Sequence, residues 1–586
     1  MASNKSKKET KEASELRRAL TTCRSAFAAV GVFSMFINLL MLLPAIYMLQ
    51  IYDRVMSSRS METLYMISLI ILVMFIVMGI LQVVRSRILV RVSVKLDRDL
   101  QDRIFDAMFR ESLVRPGSDS AQAMTDASSV RQFLTGPGLL AFFDAPWVPI
   151  YLAVMFLFHF WLGIYGVAAL VLLVALAIIG ELVVRKPLSA ANQSNVESRR
   201  FAAENVRNAE VMHAMGMAPQ IRSRLASYEA RTLENQAYAS DRAGTFTNLS
   251  RTFRLAVQAF AYGVGGILAL QGEVTAGGIV AGAILIGQAL RPVDQLIGAW
   301  RQIGGAYTAY QRLEGLLESH PAQPRAMSLP TPAGSWHFEG LAAAPPGLNT
   351  PTIRGIGLAI EPGEVLALIG PSGSGKTTLA RAGIGVWPIL AGSVRIDGAT
   401  VDQYNRDELG PHIGYLPQDI ELFNGSVAEN IARFQQPDSQ KVVDAARLAG
   451  ADEMIRSLPD GYDSLVGSGG SVLSQGQRQR VGLARAVYGG PRLIVLDEPN
   501  SNLDDEGERA LVQTIASLRA GGASTMVISH KRNILGQVDK IALLQAGRLA
   551  AYGARDEILA RLAPSGDQSG GGQQRAPAAA ASQSST

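Results

Sequence analysis

The chain has 586 residues, 48% of them hydrophobic, a single cysteine and a formal charge of +5. That length leaves room for about three or four domains, and the lone Cys23 excludes an internal disulfide framework and fits a reducing or membrane context. The charge is no nucleic-acid footprint, because Lys and Arg flank apolar runs instead of forming a patch of their own.

The start, "MASNKSKKETKEASELRR", is polar and basic and leads into a long apolar run. A secretory signal would have a short apolar region and a small-residue cleavage site, so an uncleaved membrane protein is expected. Residues 1–24 read as a solvated cytoplasmic tail, with binding to anionic lipid or to a partner as the alternative.

A membrane span needs about 20 mostly apolar residues. Six candidates follow in three pairs: 25–49 with 64–84, 139–160 with 163–184, and the weaker 253–272 with 276–296. Their glycines suit close helix packing in a bundle. The N-terminal tail, 85–135 and 185–254 are rich in Lys and Arg, whereas the links "YDRVMSSRS", "HFWLG" and "QGEVT" are not. The positive-inside rule therefore puts the long segments and both termini in the cytoplasm, with the lipid bilayer around the spans.

"VRVSVKLDRDLQDRIFDAMF" (90–109) has apolar residues at helical spacing, so membrane helices are expected to run on into the cytoplasm. "NAEVMHAMGM" (208–217) reads as a docking elbow between such helices, or as bundle core. Asp144 stands in an apolar run, which makes function the default reading. Its place just before "APW" favours a structural acid hydrated at an interfacial turn.

The membrane domain is expected over 25–312, and the Pro-rich stretch that follows, within 313–334, reads as a linker. Over 335–563, short apolar strands alternate with helical stretches, as in an α/β domain. The Gly-, Gln-, Ala- and Ser-rich end, 564–586, cannot bury a core and is expected to be disordered.

"VLALIGPSGSGKTTLARA" is a strand, a glycine-rich loop and a helix. The loop fits G-x-x-x-x-G-K-[ST]. Gly370, Pro371, Ser372, Gly373, Ser374 and Gly375, with Lys376, Thr377 and Thr378 opening the helix, form the expected phosphate cradle of an ATP site. Backbone N–H groups and the helix N-terminus attract the phosphates, Lys376 reaches the β/γ-phosphates, and the Thr377 hydroxyl ligates Mg²⁺. "RLIVLDEP" (492–499) is an apolar strand ending in two acids: Asp497 to hold the metal and Glu498 to polarise water against the γ-phosphate.

Between and beyond these stretches come "LPQD" with Gln418, "LSQGQ" (473–477), "LDEPNSNLD", and "ISH" with His530. This set, in this order over about 350–550, resembles the ATPase of ABC transporters. The resemblance implies a membrane α-helical bundle, six spans per chain with long cytoplasmic extensions, fused to an α/β P-loop ABC ATPase domain. It implies that Gln418 touches Mg²⁺ or the attacking water, and that His530, with Glu498 and Lys376, belongs to the catalytic set. Ser474, Gly476 and Gln477 would form the signature loop that closes on the nucleotide of a second copy, and Asp504 would lie in a loop crossing that interface. A homodimer with two composite sites follows.

Three departures from the family pattern stand out. Gln475 replaces the usual signature glycine; because Ser474 and Gly476 are present, it is expected to be tolerated. Ala344 stands where an adenine-stacking aromatic is usual, and Ser468 and Gly469 where exporters often have a Glu-Arg pair.

Fusion of membrane and ATPase parts resembles exporters. "YDRVMSSRSMETL", "FFDAPWVPIYLAVMFLFHFWLG", "NAEVMHAMGM" and "PRLIVLDEPNSNLD" resemble type I secretion ATPases of the subgroup exporting proteases, lipases and haem-binding proteins. The short N-terminus leaves no room for a leader-trimming peptidase. The implied cargo is an unfolded protein with an uncleaved C-terminal signal, and the implied partners are a periplasmic adaptor (membrane fusion protein) and an outer-membrane channel at a bacterial inner membrane. A lipid or drug exporter of the same fold is the alternative. A degenerate, nucleotide-gated channel is disfavoured by the presence of Lys376, Asp497, Glu498 and His530.

Overall fold

The computed structural model describes residues 15–116, 122–206, 208–322, 328–467 and 473–562. Ser468, Gly469, residues 1–14 and the 564–586 end lie outside the described residues. The chain forms two compact units that part near residue 322.

The first unit is all helix. Its elements are α1 (Glu15–Thr22), α2 (Arg24–Leu40), α3 (Leu43–Gln50), α4 (Met61–Val114), α5 (Gln122–Thr135), α6 (Pro137–Asp144), α7 (Val148–Phe158), α8 (Phe160–Val206), α9 (Ala209–Ala214), α10 (Ala218–Leu270) and α11 (Ala276–Ser319). Six of the described segments are long and apolar enough to cross a membrane: Arg24–Ser58, Met61–Val114, Pro137–Phe158, Phe160–Val206, Ala218–Leu270 and Ala276–Trp300.

Two spans are not single rods. The first breaks at Met41–Leu42, with Pro44 in the opening turn of α3, where its missing N–H does no harm. The third breaks at a 3₁₀ turn, Ala145–Trp147, between Asp144 and Pro149. At 1.5 Å rise per residue, α8 and α10 run roughly 70–80 Å, more than twice the hydrocarbon thickness. Thr232 and Asn235 of α10 donate to the Ser194 carbonyl and hydroxyl of α8 at 3.1 and 2.9 Å, tying the two together.

Asp144 finds its partners among side chains of the bundle. Arg85 of α4 donates to Asp144 Oδ1 at 2.8 Å and to Ser34 Oγ at 2.9 Å. Asn38 of α2 donates to the same carboxylate oxygen at 2.9 Å, and the Tyr151 hydroxyl donates to Asn38 Oδ1 at 2.9 Å. An unpaired charge in an apolar setting is expensive. Here four helices share that expense through one network.

The described part of the N-terminal tail is not a solvated extension either. Leu16 is 1% exposed and packs with Leu96, Leu100, Ile104 and Leu313. Glu15 pairs with Arg103 at 2.8 Å. An apolar residue with a core to join wins over a basic flank. Val211 and Met215, in and just after α9, are 52% and 71% exposed, so the elbow is not bundle core of this unit. Finally, α11 stays helical to Ser319, through residues 313–319 that the sequence reading assigns to linker.

The second unit is α/β. Its strands are β1 (Trp336–Ala343), β2 (Ile353–Ile360), β3 (Val365–Ile369), β4 (Ile389–Ile396), β5 (Ile413–Leu416), β6 (Leu493–Asp497), β7 (Ser524–Ile528), β8 (Lys540–Gln545) and β9 (Arg548–Ala554). The main sheet runs β9-β8-β3-β7-β6-β5, parallel except for the β8–β9 hairpin. A smaller antiparallel sheet holds β2-β1-β4. Strands β3, β6 and β7 are buried at every position. Apolar cores on both faces explain why they read as continuous apolar runs. Their C-terminal ends lie side by side, where α/β sheets bind ligands.

Candidate functional site

Strand β3 ends at Ile369, and the loop 370–375 turns into α12 (Lys376–Gly383). Gly370 has φ 147°, and a Cβ there would meet the Leu544 carbonyl oxygen at 2.1 Å, so no other residue fits. Lys376 is buried, and its Nζ donates to the Gly370 and Pro371 carbonyls at 2.7 and 2.9 Å. The ammonium group thus spans the loop that its own helix follows. Ser374 Oγ is buried with no hydrogen-bond partner among the described residues. Thr377 and Thr378 fill the first turn of α12, Thr378 buried.

Strand β6 pairs with β7, which pairs with β3, and this brings Asp497 to the same edge. Thr377 Oγ1 lies 3.5 Å from Asp497 Oδ1. Asp497 is 1% exposed, and its Oδ2 has no partner among the described residues. Burial pushes its carboxyl above the usual range, against the pull of the Thr377 hydroxyl and Arg381. A buried carboxylate oxygen left without a partner beside a hydroxyl is a donor set suited to a hard, oxygen-seeking cation such as Mg²⁺.

Glu498 adopts φ 49°, which is left-handed for a residue with a side chain. Its N–H donates to the Ile528 carbonyl at 3.0 Å, which fixes the kink at the strand end. Gln418, just beyond β5, donates to Glu498 Oε2 at 3.0 Å. His530 is exposed two residues past β7. Buried Ser529 donates to Asn500 Oδ1 at 2.9 Å, so the loops carrying Glu498 and His530 are tied to each other.

Ser474 caps α13 (Gln475–Val487). Its Oγ accepts from Gln477 N at 3.2 Å, and Gln477 Oε1 accepts from Ser474 N at 2.9 Å. This capping box orders the loop without using up the serine, whose hydroxyl proton stays free to donate outward. At Gly476 a Cβ would sit 2.7 Å from the Asn502 carbonyl oxygen. The glycine is therefore required by the chain's own backbone, before any nucleotide is considered. Gln475 is exposed and lines a small cleft with Gln418, Arg478 and Asn502.

Asp504 caps α14 (Asp505–Ala520), accepting from Gly507 N at 2.8 Å and from Arg480 of α13 at 2.7 Å. The Gly507 N–H and the Arg480 guanidinium hold its carboxyl below the usual range. Buried Gln479 donates to the Pro499 carbonyl. Gln479, Arg480, Asn500 and Ser529 thus brace the site, and sequence reasoning missed Gln479, Arg480 and Ser529 as site residues. Their one signal is adjacency to motif residues. Ala344 is buried at the end of β1, while Leu348 at the loop tip is 53% exposed.

The structure therefore brings the cradle 370–378, Gln418, Asp497 and Glu498 together, with His530 on the neighbouring strand end and the signature loop held by Asn502 and Asp504. Such a site defines a phosphate-loop nucleotide-binding protein fused to a multi-span membrane bundle. The ABC transporter family model matches residues 353–501, and the ABC transporter transmembrane region matches 27–293. The chain is 41% identical to the type I secretion system ATP-binding protein PrsD of Rhizobium meliloti (strain 1021), over 93% of this chain and 94% of the relative. It is 30% identical to the cyclolysin secretion/processing ATP-binding protein CyaB of Bordetella pertussis, over 92% of this chain and 77% of the relative. Its fold matches a bacterial Atm1-family ABC exporter solved with ATP bound, with a TM-score of 0.79 at 22% identity over 93% of this chain and 97% of that one. The chain belongs to the ABC transporter family, among the type I secretion ATP-binding proteins. It is a multi-pass membrane protein whose chemistry is ATP hydrolysis coupled to transport.

Proposed function

We propose that two copies of this chain form a homodimeric exporter of unfolded proteins bearing an uncleaved C-terminal signal. The full-length similarity to a type I secretion ATP-binding protein is the observation that carries this reading. The exporter lies in a bacterial inner membrane with both termini and the ATPase domains in the cytoplasm, as the loop charges favour. A periplasmic adaptor and an outer-membrane channel complete the route. The exposed elbow at α9 docks on an ATPase domain.

In each site the cradle 370–378 holds the phosphates of ATP, and Lys376 releases its loop carbonyls to reach the β/γ-phosphates. Thr377, Asp497 and Gln418 hold Mg²⁺, which when bound neutralises charge on the phosphates. Glu498, oriented by Gln418, polarises the attacking water, and His530 holds the γ-phosphate and that water. Ser474, Gly476 and Gln477 of one copy close on the nucleotide of the other, where the N-terminus of α13 favours the anion. The Asp504 loop crosses the interface.

The test is the ATPase rate of the purified dimer with and without C-terminal fragments of secreted proteins encoded near this gene, with Glu498→Gln as the blank. A rate changed by one fragment but not by its scrambled version supports protein export. A rate that ignores every fragment and climbs with lipids or drugs overturns it in favour of an amphiphile exporter.

A further inference from the structure

Helix α11 is the most buried of the six candidate spans, yet one of its faces is neither buried nor apolar. Arg291, Gln295 and Gly298 are exposed, and at 3.6 residues per turn they share a face about 60° wide. Trp300 is exposed on the opposite side. One turn outward the same face carries Gly287 and Gln288. Gln258 of α10 lies against Gly287, where an added Cβ would meet its Nε2 at 3.1 Å. Gln288 Oε1 is buried with no partner among the described residues.

Arg291 lies 15 residues into α11, or about 22 Å at 1.5 Å per residue, inside a hydrocarbon layer about 30 Å thick. Its guanidinium donates to Met41 Sδ at 3.8 Å, a weak acceptor. The nearby Asp294 is taken by Arg254 at 3.2 Å. Among the described residues no carboxylate lies within ion-pair distance of Arg291. A cation at that depth is costly against lipid, so such residues turn toward water or protein.

We propose that this face, Gln258, Gln288, Arg291, Gln295 and Gly298, is a wall of the passage through which the exported polypeptide moves. The inference rests on the protein-export reading above. Glutamine amides donate to and accept from an extended backbone whatever its side chains, and Gly298 leaves room for bulky ones. Arg291 is a fixed positive charge, so the wall favours acidic segments of the cargo. That chemistry suits a polypeptide held briefly at many points and does not suit a lipid tail.

The experiment uses the full chain in proteoliposomes, with Cys23→Ser and one new cysteine, Gln295→Cys or, as a control, Leu172→Cys on an exposed apolar position of α8. A charged, membrane-impermeant methanethiosulfonate reports water contact. Gln295→Cys is expected to label at least about tenfold faster than Leu172→Cys, because only the former lines water. An unfolded glutamate-rich polypeptide slows that labelling more than a lysine-rich one of equal length, and Arg291→Glu reverses the preference. Labelling no faster than the control overturns the inference, as does a Gln295→Cys disulfide between copies that polypeptide leaves unchanged, since the face is then a dimer contact. Fragment-stimulated ATPase of the unmodified protein is read in parallel. Stimulation without protection at position 295 overturns this inference alone, whereas no stimulation by any polypeptide overturns the export reading itself.

Discussion

Asp144 and Asp497 are both carboxylates withdrawn from water, one in each unit, with side-chain exposure of 16% for the first and residue exposure of 1% for the second. Asp144 has Arg85 and Asn38 on one oxygen and holds four helices together. Asp497 has a distant Thr377 hydroxyl on one oxygen and no partner among the described residues on the other. Burial alone does not separate a structural acid from a ligand. Satisfaction does, because a fold keeps an unsatisfied buried carboxylate only where something else supplies the partner.

The sharpest way to break that contrast is Asp497→Asn. ATPase is expected to fall at least about 100-fold, as for loss of a charge that positions a metal at a phosphoryl-transfer site. Melting temperature in EDTA is expected to hold or rise, because the substitution removes a desolvated charge that nothing pairs. A melting temperature that falls along with activity would make Asp497 structural, like Asp144.

Asp144→Ala should do the reverse. Removing one partner of a buried pair leaves Arg85 uncompensated and costs about 3–5 kcal/mol of stability. The double variant Arg85→Met with Asp144→Leu should recover most of that loss, and the surviving folded fraction should keep ATPase within a few-fold of the parent. If the double variant folds well but no longer couples ATPase to cargo, the pair has a transport role that its satisfied geometry does not announce.

How much of this was legible in advance follows the range of the interactions. The phosphate cradle and the β6 acids were legible because strand, loop and helix are consecutive and their chemistry is local. The turn at "APW" was legible for the same reason, although the span was read as continuous over 139–160. The Arg85 partner of Asp144 lies 59 residues away and was invisible, so a turn at the interface seemed enough to hydrate the acid. The Glu15–Arg103 clasp spans 88 residues. Gly476 was legible as a member of the signature loop, and the structure adds a second reason for it, since the Asn502 carbonyl of the same chain already excludes a side chain.

That second reason yields a smaller prediction. Gly476→Ala puts a methyl 2.7 Å from a backbone oxygen that is held in the loop between β6 and α14. The loop or the start of α13, which carries Ser474, must shift to relieve it. We expect ATPase to fall about tenfold, in line with the sensitivity of aligned sites to small misplacements, while the capping box keeps the helix folded. Unchanged turnover would mean that the loop yields freely and that its register does not matter.

The smallest effect is expected one residue earlier. Gln475 is the first residue of α13, exposed, and turned to a cleft with Gln418 and Arg478 of its own chain. The groups aimed outward at that helix start are the Ser474 hydroxyl and backbone N–H groups, and neither depends on the side chain at 475. Gln475→Gly removes a side chain from the first helical turn and loosens the backbone by about 0.5–1 kcal/mol, a glycine penalty that propensity alone predicts. Turnover should therefore change by less than about tenfold, the equivalent of 1.4 kcal/mol. A larger rise would show that the cleft between Gln475 and Gln418 restrains the Gln418–Glu498 contact, and the signature glutamine would then be a brake on Glu498 of its own chain.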